Sequence, residues 1–187
     1  MQIILASQSP RRQELLGLLR KPFIVRAADI DETMDDAKPA FDEVARVSYE
    51  KAVAVERGDD DIVIAADTIV VCDGRVLGKP KDEAQAKAML TMLSGRSHQV
   101  MTGMTLLRRD KAITSTTVTE IAFRPLSRKE IEDYVATGEP MDKAGAYAIQ
   151  GGAALFAEHL AGDYYNVMGL PVCRLSRDLE KIMEDTQ

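Results

Sequence analysis

The sequence is poor in the residues that staple small folds or hold soft metals. Its 187 residues include two cysteines, Cys72 and Cys173, and two histidines, His98 and His159. The cysteines stand far apart and make no metal-ligand pair, so reduced thiols are expected rather than a disulfide framework. Neither histidine has a ligand-spaced partner, which argues against a zinc site. A basic surplus is also missing: 24 Lys and Arg face 30 Asp and Glu, a formal charge of -6. That balance argues against gripping a long nucleic acid with the whole surface, and leaves room for a local anion site. No stretch approaches the roughly 18 apolar residues of a membrane span. The run Ile3-Ile4-Leu5-Ala6 is too short for a signal-peptide core, and Arg11 and Arg12 follow it rather than precede it. There is no Walker A loop, no Rossmann glycine fingerprint, no repeat and no low-complexity linker.

What is there is an ordinary globular composition, 45% hydrophobic and 29% charged. Such a chain buries about 70% of its unfolded surface without staples. The length predicts one domain or a tightly joined pair of lobes. Residues 2–6 read as a short buried strand. Ser7-Gln8-Ser9-Pro10 leads into a helix to about Leu19, with Ser9 as N-cap and Pro10 in the first position. Residues 29–36 carry five acids (Asp29, Asp31, Glu32, Asp35 and Asp36) and read as a loop before a helix over about 41–57. The nearly continuous apolar run 62–71 predicts a strand covered on both faces, and Asp73-Gly74 a hairpin turn. Gly78-Lys79-Pro80 breaks the chain ahead of a helix over 82–93, with Met89 and Met92 in the core. Strands follow over 97–107 and 112–124. Ser127 and Glu130 form a capping box for a helix that stops at Gly138. Residues 141–171 mix loops and strands, and the last helix covers about 171–183. Strands alternating with helices indicate an α/β fold.

Several residues break the rules of placement. Asp67 lies inside the apolar run, where an unpaired carboxylate would cost several kcal/mol. Two readings are open for it: a strand-end Asp satisfied by backbone amides, or a metal ligand or general base. Lys51 falls between Val44 and Val47 on a helical wheel whose apolar face is Phe41, Val44, Ala45, Ser48, Ala52 and Val55. Periodicity alone favours its stem snorkelling to solvent. Arg11 and Arg12 sit in a first helical turn, where the dipole opposes cations. Either they are solvated, or an anion binds at that end beside the hydroxyls of Ser7 and Ser9. By themselves, Glu32 reads as part of a solvated charge run, and Lys79 and Lys143 as turn residues. Taken together, these residues offer carboxylates for a hard divalent metal and cations for phosphate oxygens. That combination suits a metal-assisted enzyme acting on a phosphorylated small molecule.

At these positions the sequence resembles the Maf family of nucleoside triphosphate pyrophosphatases. The matching segments are Leu-Ala-Ser-Gln-Ser-Pro-Arg-Arg (5–12), Ile-Asp-Glu (30–32), Glu-Lys-Ala (50–52), Ala-Asp-Thr (66–68), Gly-Lys-Pro (78–80) and Leu-Ser-Gly (93–95). Gly-Glu-Pro-Met-Asp-Lys-Ala-Gly-Ala-Tyr-Ala-Ile-Gln-Gly (138–151) and Val-Met-Gly-Leu-Pro (167–171) follow in the family's order. The resemblance implies a single Maf-like domain over 1–187: a two-lobed, mixed-sheet α/β fold with a central cleft, similar to inosine triphosphate pyrophosphatases. It implies hydrolysis of a nucleoside triphosphate to the monophosphate and pyrophosphate with Mg²⁺ or Mn²⁺, in a cytoplasmic enzyme that is often a homodimer. It makes Asp67 the catalytic proton acceptor and Glu32 a second acidic residue close to the metal. Ser7 and Arg12 would form the phosphate-binding loop, with Lys51 and Lys79 as cleft lysines on the phosphates.

The branch acting on dTTP and UTP looks like Arg, Thr and Gln at positions 11, 68 and 150; the branch acting on 7-methyl-GTP carries Trp, Gln and Glu there. This chain has Arg11, Thr68 and Gln150. The chemistry of Gln150 agrees, because uracil and thymine present carbonyl acceptors around one N–H. An amide both donates and accepts, and a carboxylate only accepts. Two other readings stand beside this one. One is a house-cleaning pyrophosphatase for non-standard or methylated nucleotides. The other is a nucleotide-binding regulator of cell division, which would have no need of a metal-plus-base set.

Overall fold

The computed structural model describes residues 1–184. The elements are β1 (Ile3–Leu5), α1 (Pro10–Gly17), β2 (Phe23–Val25), α2 (Ala40–Ala54), β3 (Ile62–Cys72), β4 (Arg75–Leu77) and α3 (Glu83–Leu93). They continue with β5 (Ser97–Arg108), β6 (Lys111–Phe123), α4 (Arg128–Ala136), β7 (Ala157–Ala161), α5 (Tyr164–Val167) and α6 (Val172–Glu184). The strands form one sheet in the order β2-β1-β3-β5-β6-β7, with β4 added beside β3. It is mixed: β1 runs parallel to β2 and β3, while the β3–β4 and β6–β7 pairs are antiparallel. The expected α/β architecture is therefore present. Among the described residues, no helix is long and apolar enough to cross a membrane.

Local chemistry explains most of the boundaries. Ser9 caps α1 by accepting from the Arg12 amide, and Pro10 opens the helix. Asp73 and Gly74 take positive φ values of 48° and 75°, the left-handed pair that a tight hairpin turn requires. Ser127 and Glu130 close a complete capping box on α4. Other features differ from the sequence reading. α2 ends at Ala54, three residues early, because Val55 turns extended and buries its side chain. Phe41 lies outside the buried face of α2, at 47% exposure; that face is Glu43, Val44, Val47, Ser48, Lys51 and Ala52. The sequence pattern gives no sign of β2 or α5. β2 is three half-exposed residues, and α5 is a single turn set by the Asp163 carboxylate, which accepts from the Tyr165 and Asn166 amides.

The chain packs as two compact units. The first takes residues 1–67, 102–117 and 169 onward; the second takes 68–101 and 118–168. In the first unit, Ile4, Ala6, Val63, Ala65 and Leu107 pack with Ala52 and Val55. Here α2 lies backbone-close on β5: a Cβ at Gly103 would collide with the carbonyl oxygen of Val44. Beside that contact the Ser48 hydroxyl donates to the Ala45 carbonyl (2.8 Å). It therefore accepts from Thr105 (2.8 Å), which in turn accepts from Thr114 (2.9 Å). Absence of a side chain at 103 and a directed hydroxyl chain thus fix the height of α2 over the strand.

In the second unit, Leu90 and Leu93 of α3 and Ile131 and Val135 of α4 cover Val70, Val100, Ile121 and Phe123. His98 is buried in this core, its Nε2 2.9 Å from the Tyr147 hydroxyl and its ring edge-on to Phe123. Burial pushes the His98 pKa from 6.5 down to about 4. The unfolded chain therefore binds the extra proton first as pH falls, and stability drops between pH 6.5 and 4. The shift corresponds to about 3 kcal/mol. Urea titrations of wild type and His98→Phe at pH 7.5 and pH 4 should differ by about that amount.

Candidate active site

The first unit gathers six of the candidate site residues, Ser7, Arg11, Arg12, Glu32, Lys51 and Asp67. Asp67 is the last residue of its β3 segment and is 7% exposed. Lys51, on the last turn of α2, is 6% exposed. Its Nζ lies 2.7 Å from Asp67 Oδ1 and 2.9 Å from Glu32 Oε1. The lysine does not snorkel. It is buried because the strand beneath it carries a carboxylate that needs a cation within hydrogen-bond reach. Among the described residues, Asp67 Oδ1 is met by the Lys51 ammonium rather than by a backbone amide.

Arg12 brings a second cation. Its Nε donates to the Gly169 carbonyl (2.9 Å) and its Nη1 to Ser7 Oγ (3.2 Å). Ser7 Oγ also accepts from the Ser9 amide, which shapes the loop ahead of α1. Burial pushes the Arg12 pKa down; the negative charges of Asp67 and Glu32 push it up, and Arg11 lowers it again. Arg12 therefore lies within electrostatic reach of both carboxylates, and Arg11 within reach of Arg12. Two cations and two carboxylates thus nearly cancel before any ligand arrives.

Glu32 owes its place to residues that pattern reading missed. Glu43 is buried on α2, and its carboxylate accepts from Arg46 Nε (3.0 Å), Arg46 Nη2 (2.8 Å) and the Asp35 amide (2.8 Å). Arg46 also donates to the Thr33 carbonyl (2.9 Å) and to Glu50 (2.7 Å). The Arg46 fork and the Asp35 amide hold the Glu43 pKa down to about 2. Asp31 adds an Asx turn, accepting from the Thr33 amide and hydroxyl. The acidic stretch is therefore a tethered loop whose Glu32 faces Lys51, rather than a freely solvated run. The detectable signal was the Glu43/Arg46 spacing of three together with Glu43's position beside Val44.

The second unit holds the others. Thr68 is half-buried; Lys79 and Gln150 are exposed. The Gly78 carbonyl beside Lys79 accepts from the Gly145 amide (3.0 Å). Gly145 takes φ 69°, and a Cβ there would press on Val70. Lys143 is a turn residue in fact, donating to the Glu139 carbonyl (2.8 Å) and to Asp142. Gln150 rides a turn closed by the Gly151 amide on the Ala148 carbonyl (3.0 Å).

Among the described residues, no three His, Cys, Asp or Glu side chains gather as a ready metal cage. Glu32 and Asp67 nevertheless fit a hard divalent ion in donor type. Each engages Lys51 through one carboxylate oxygen, and such ions commonly take one or two carboxylates and complete their shell with water and substrate phosphates.

Comparison with known proteins gives three results. The model of the family described as Maf-like protein matches residues 2–182. A dTTP/UTP pyrophosphatase of Bacillus cytotoxicus is 49% identical over 179 residues, covering 95% of this chain and 94% of that protein. One from Bacillus cereus is 47% identical over 184 residues, covering 98% and 96%. Among solved structures, a HAM1 protein from Coxiella burnetii aligns with TM-score 0.51 at 19% identity, covering 97% of this chain and 99% of that one. The Staphylococcus aureus Ham1 protein gives 0.52 at 15%, with the same coverage. These two likenesses concern the fold.

Two outcomes test this geometry. Lys51→Met leaves Asp67 buried without its cation and should cost about 3–5 kcal/mol in urea unfolding. Adding Asp67→Asn should recover part of that loss, giving a coupling energy in the double-mutant cycle. Arg46→Ala should free the acidic loop, with amide exchange over residues 31–36 rising about tenfold or more.

Proposed function

Because the chain belongs to the Maf-like protein family, we propose that it hydrolyses dTTP and UTP to the nucleoside monophosphate and pyrophosphate. The observation that carries this reading is the buried Lys51 shared between Asp67 and Glu32, with Arg12 in electrostatic reach. Support for the substrate class comes from the near-full-length relatives named for that activity, and from Arg11, Thr68 and Gln150.

In the proposed mechanism, an incoming polyphosphate competes with the carboxylates for Lys51 and Arg12. Lys51 re-pairs with phosphate oxygens, and Asp67 Oδ1 becomes available to a water. Asp67 takes a proton from that water as its oxygen bonds to phosphorus at the α–β bridge, and the bridging P–O bond breaks. Arg12, held by Ser7 and Gly169, stabilises charge developing on the phosphate oxygens without having to reorient. Lys79 is assigned the same electrostatic role. Glu32 and Asp67 would hold Mg²⁺ or Mn²⁺, which when bound neutralises and polarises the phosphates. Gln150 is assigned to the base, where its amide can donate to a carbonyl and accept from the ring N–H. The reading places the enzyme in the cytoplasm, where nucleotide pools turn over.

The test is pyrophosphate release from a nucleotide panel with Mg²⁺ and with Mn²⁺. dTTP and UTP should be the best substrates, and Asp67→Asn should lower turnover by at least about 100-fold. Gln150→Glu should weaken the pyrimidine preference. Preference for 7-methyl-GTP would overturn the assignment of the base, and turnover surviving Asp67→Asn would overturn the assignment of the proton acceptor. Nucleotide binding without pyrophosphate release would point to the regulator, and faster turnover of modified nucleotides to the house-cleaning role.

A further inference from the structure

Within the second unit, a single carboxylate reaches both flanks of the turn that carries Gln150. Glu139 follows Gly138, whose φ of 75° starts a short 3-10 turn after α4. Glu139 Oε1 accepts from the Tyr134 hydroxyl at 2.6 Å. The same hydroxyl accepts from the Ala148 amide at 3.0 Å. On the other side, the Gly152 amide donates to Glu139 Oε1 and Oε2 at 3.1 and 3.4 Å. The chain of bonds therefore runs from Ala148 through Tyr134 and Glu139 to Gly152. Its two ends lie two residues before and two residues after Gln150.

The packing allows little slack. A Cβ at Gly151 would collide with the Glu139 carboxylate, and one at Gly152 would press on the Tyr134 ring at 3.0 Å. That ring is itself held edge-on to Phe156, 5.1 Å between centroids. Burial, and the Glu139 carboxylate next, push the Tyr134 pKa well above the ordinary phenol value, so the hydroxyl keeps its proton and remains a donor. Gln150 is exposed at the crest of the turn. An amide that distinguishes a carbonyl from an amine on a base must be held to a fraction of an ångström, because a misplaced amide pairs with either.

We propose that Glu139, acting through Tyr134 and the Gly152 amide, is a positioning residue for base selection, fixing the turn so that Gln150 meets the base in one orientation. The inference rests on the assignment of Gln150 to the base made above. Neither Glu139 nor Tyr134 touches substrate in this scheme; both act through the backbone of residues 148–152.

The experiment compares UTP with CTP, whose bases differ in the N3 and C4 groups that an amide reads. It uses Tyr134→Phe, which keeps the ring, together with Glu139→Ala and Glu139→Gln. Tyr134→Phe and Glu139→Ala should lower the UTP-to-CTP ratio of kcat/KM about tenfold, through KM for UTP with kcat nearly unchanged. Glu139→Gln retains an acceptor for Gly152 and should restore most of the ratio. In a Gln150→Ala background, Tyr134→Phe should bring no further loss of selectivity. An equal fall for both nucleotides, or the same loss with Gln150 absent, would overturn the proposal in favour of a purely structural network. If Gln150→Ala itself keeps the wild-type ratio, the assignment of Gln150 fails and base selection by this turn fails with it. Amide exchange separates that case from failure of the tether. Exchange at Ala148 and Gly152 should rise about tenfold in Tyr134→Phe, and unchanged exchange would overturn the tether whatever the kinetics.

Discussion

A carboxylate inside an apolar strand is costly unless polar partners meet it, and in this chain the partner is a lysine from a helix sixteen residues earlier. That requirement shapes the first unit. α2 must lie low enough over the sheet for Lys51 to reach Asp67 on β3. Gly103 and the Ser48–Thr105–Thr114 hydroxyls set that height. The buried face of α2 must accept Lys51 and Glu43 among Val44, Val47 and Ala52, and Glu43 is met there by Arg46 and the Asp35 amide, with Lys38 at 4.0 Å. The loop bearing Glu32 then follows from Glu43 and Arg46. Displacing any of these would leave a buried charge with part of its shell missing.

The two units use one device with different chemistry. In the first, a buried glutamate on a helix accepts from a loop amide, and an arginine gripped by that glutamate holds a loop carbonyl. In the second, Glu139 accepts from the Gly152 amide, and a tyrosine bound to it receives the Ala148 amide. The first device is charged on both sides and presents Glu32; the second has one charge and presents Gln150. A carboxylate suits the task because it has several lone pairs and can bind a loop and an anchor at once.

Much of this was legible in the sequence, for reasons that can be named. β3 announced itself by its apolar run, the hairpin by Asp73-Gly74 and α4 by its capping box, since each signal is local and written in adjacent residues. Asp67 and Lys51 stood out as charges at apolar positions. Their pairing did not, because it joins a helix to a strand and depends on how closely α2 approaches. Glu32 was masked by its acidic neighbours, two of which, Asp31 and Asp35, are spent on turns of the loop itself. The apolar pattern of α2 admits Phe41 and leaves out Glu43, because apolarity alone counts a glutamate as outward, whereas Glu43 is buried and Phe41 exposed. β2 and α5 are too short to leave a period. The net charge of -6 described the whole chain, whereas the site balances two cations against two carboxylates.

The contact at Gly103 differs in kind from the rest of the core. Most core neighbours meet through side chains, which can change rotamer and absorb a substitution nearby. Here main chain meets main chain, and a main chain has no rotamers to offer. The spacing between α2 and β5 is consequently insulated from gradual change elsewhere in the unit: residues around it can be exchanged over generations while the lysine stays at the same distance from its strand. The part of the protein with no side chain at all serves as the datum from which the site is measured.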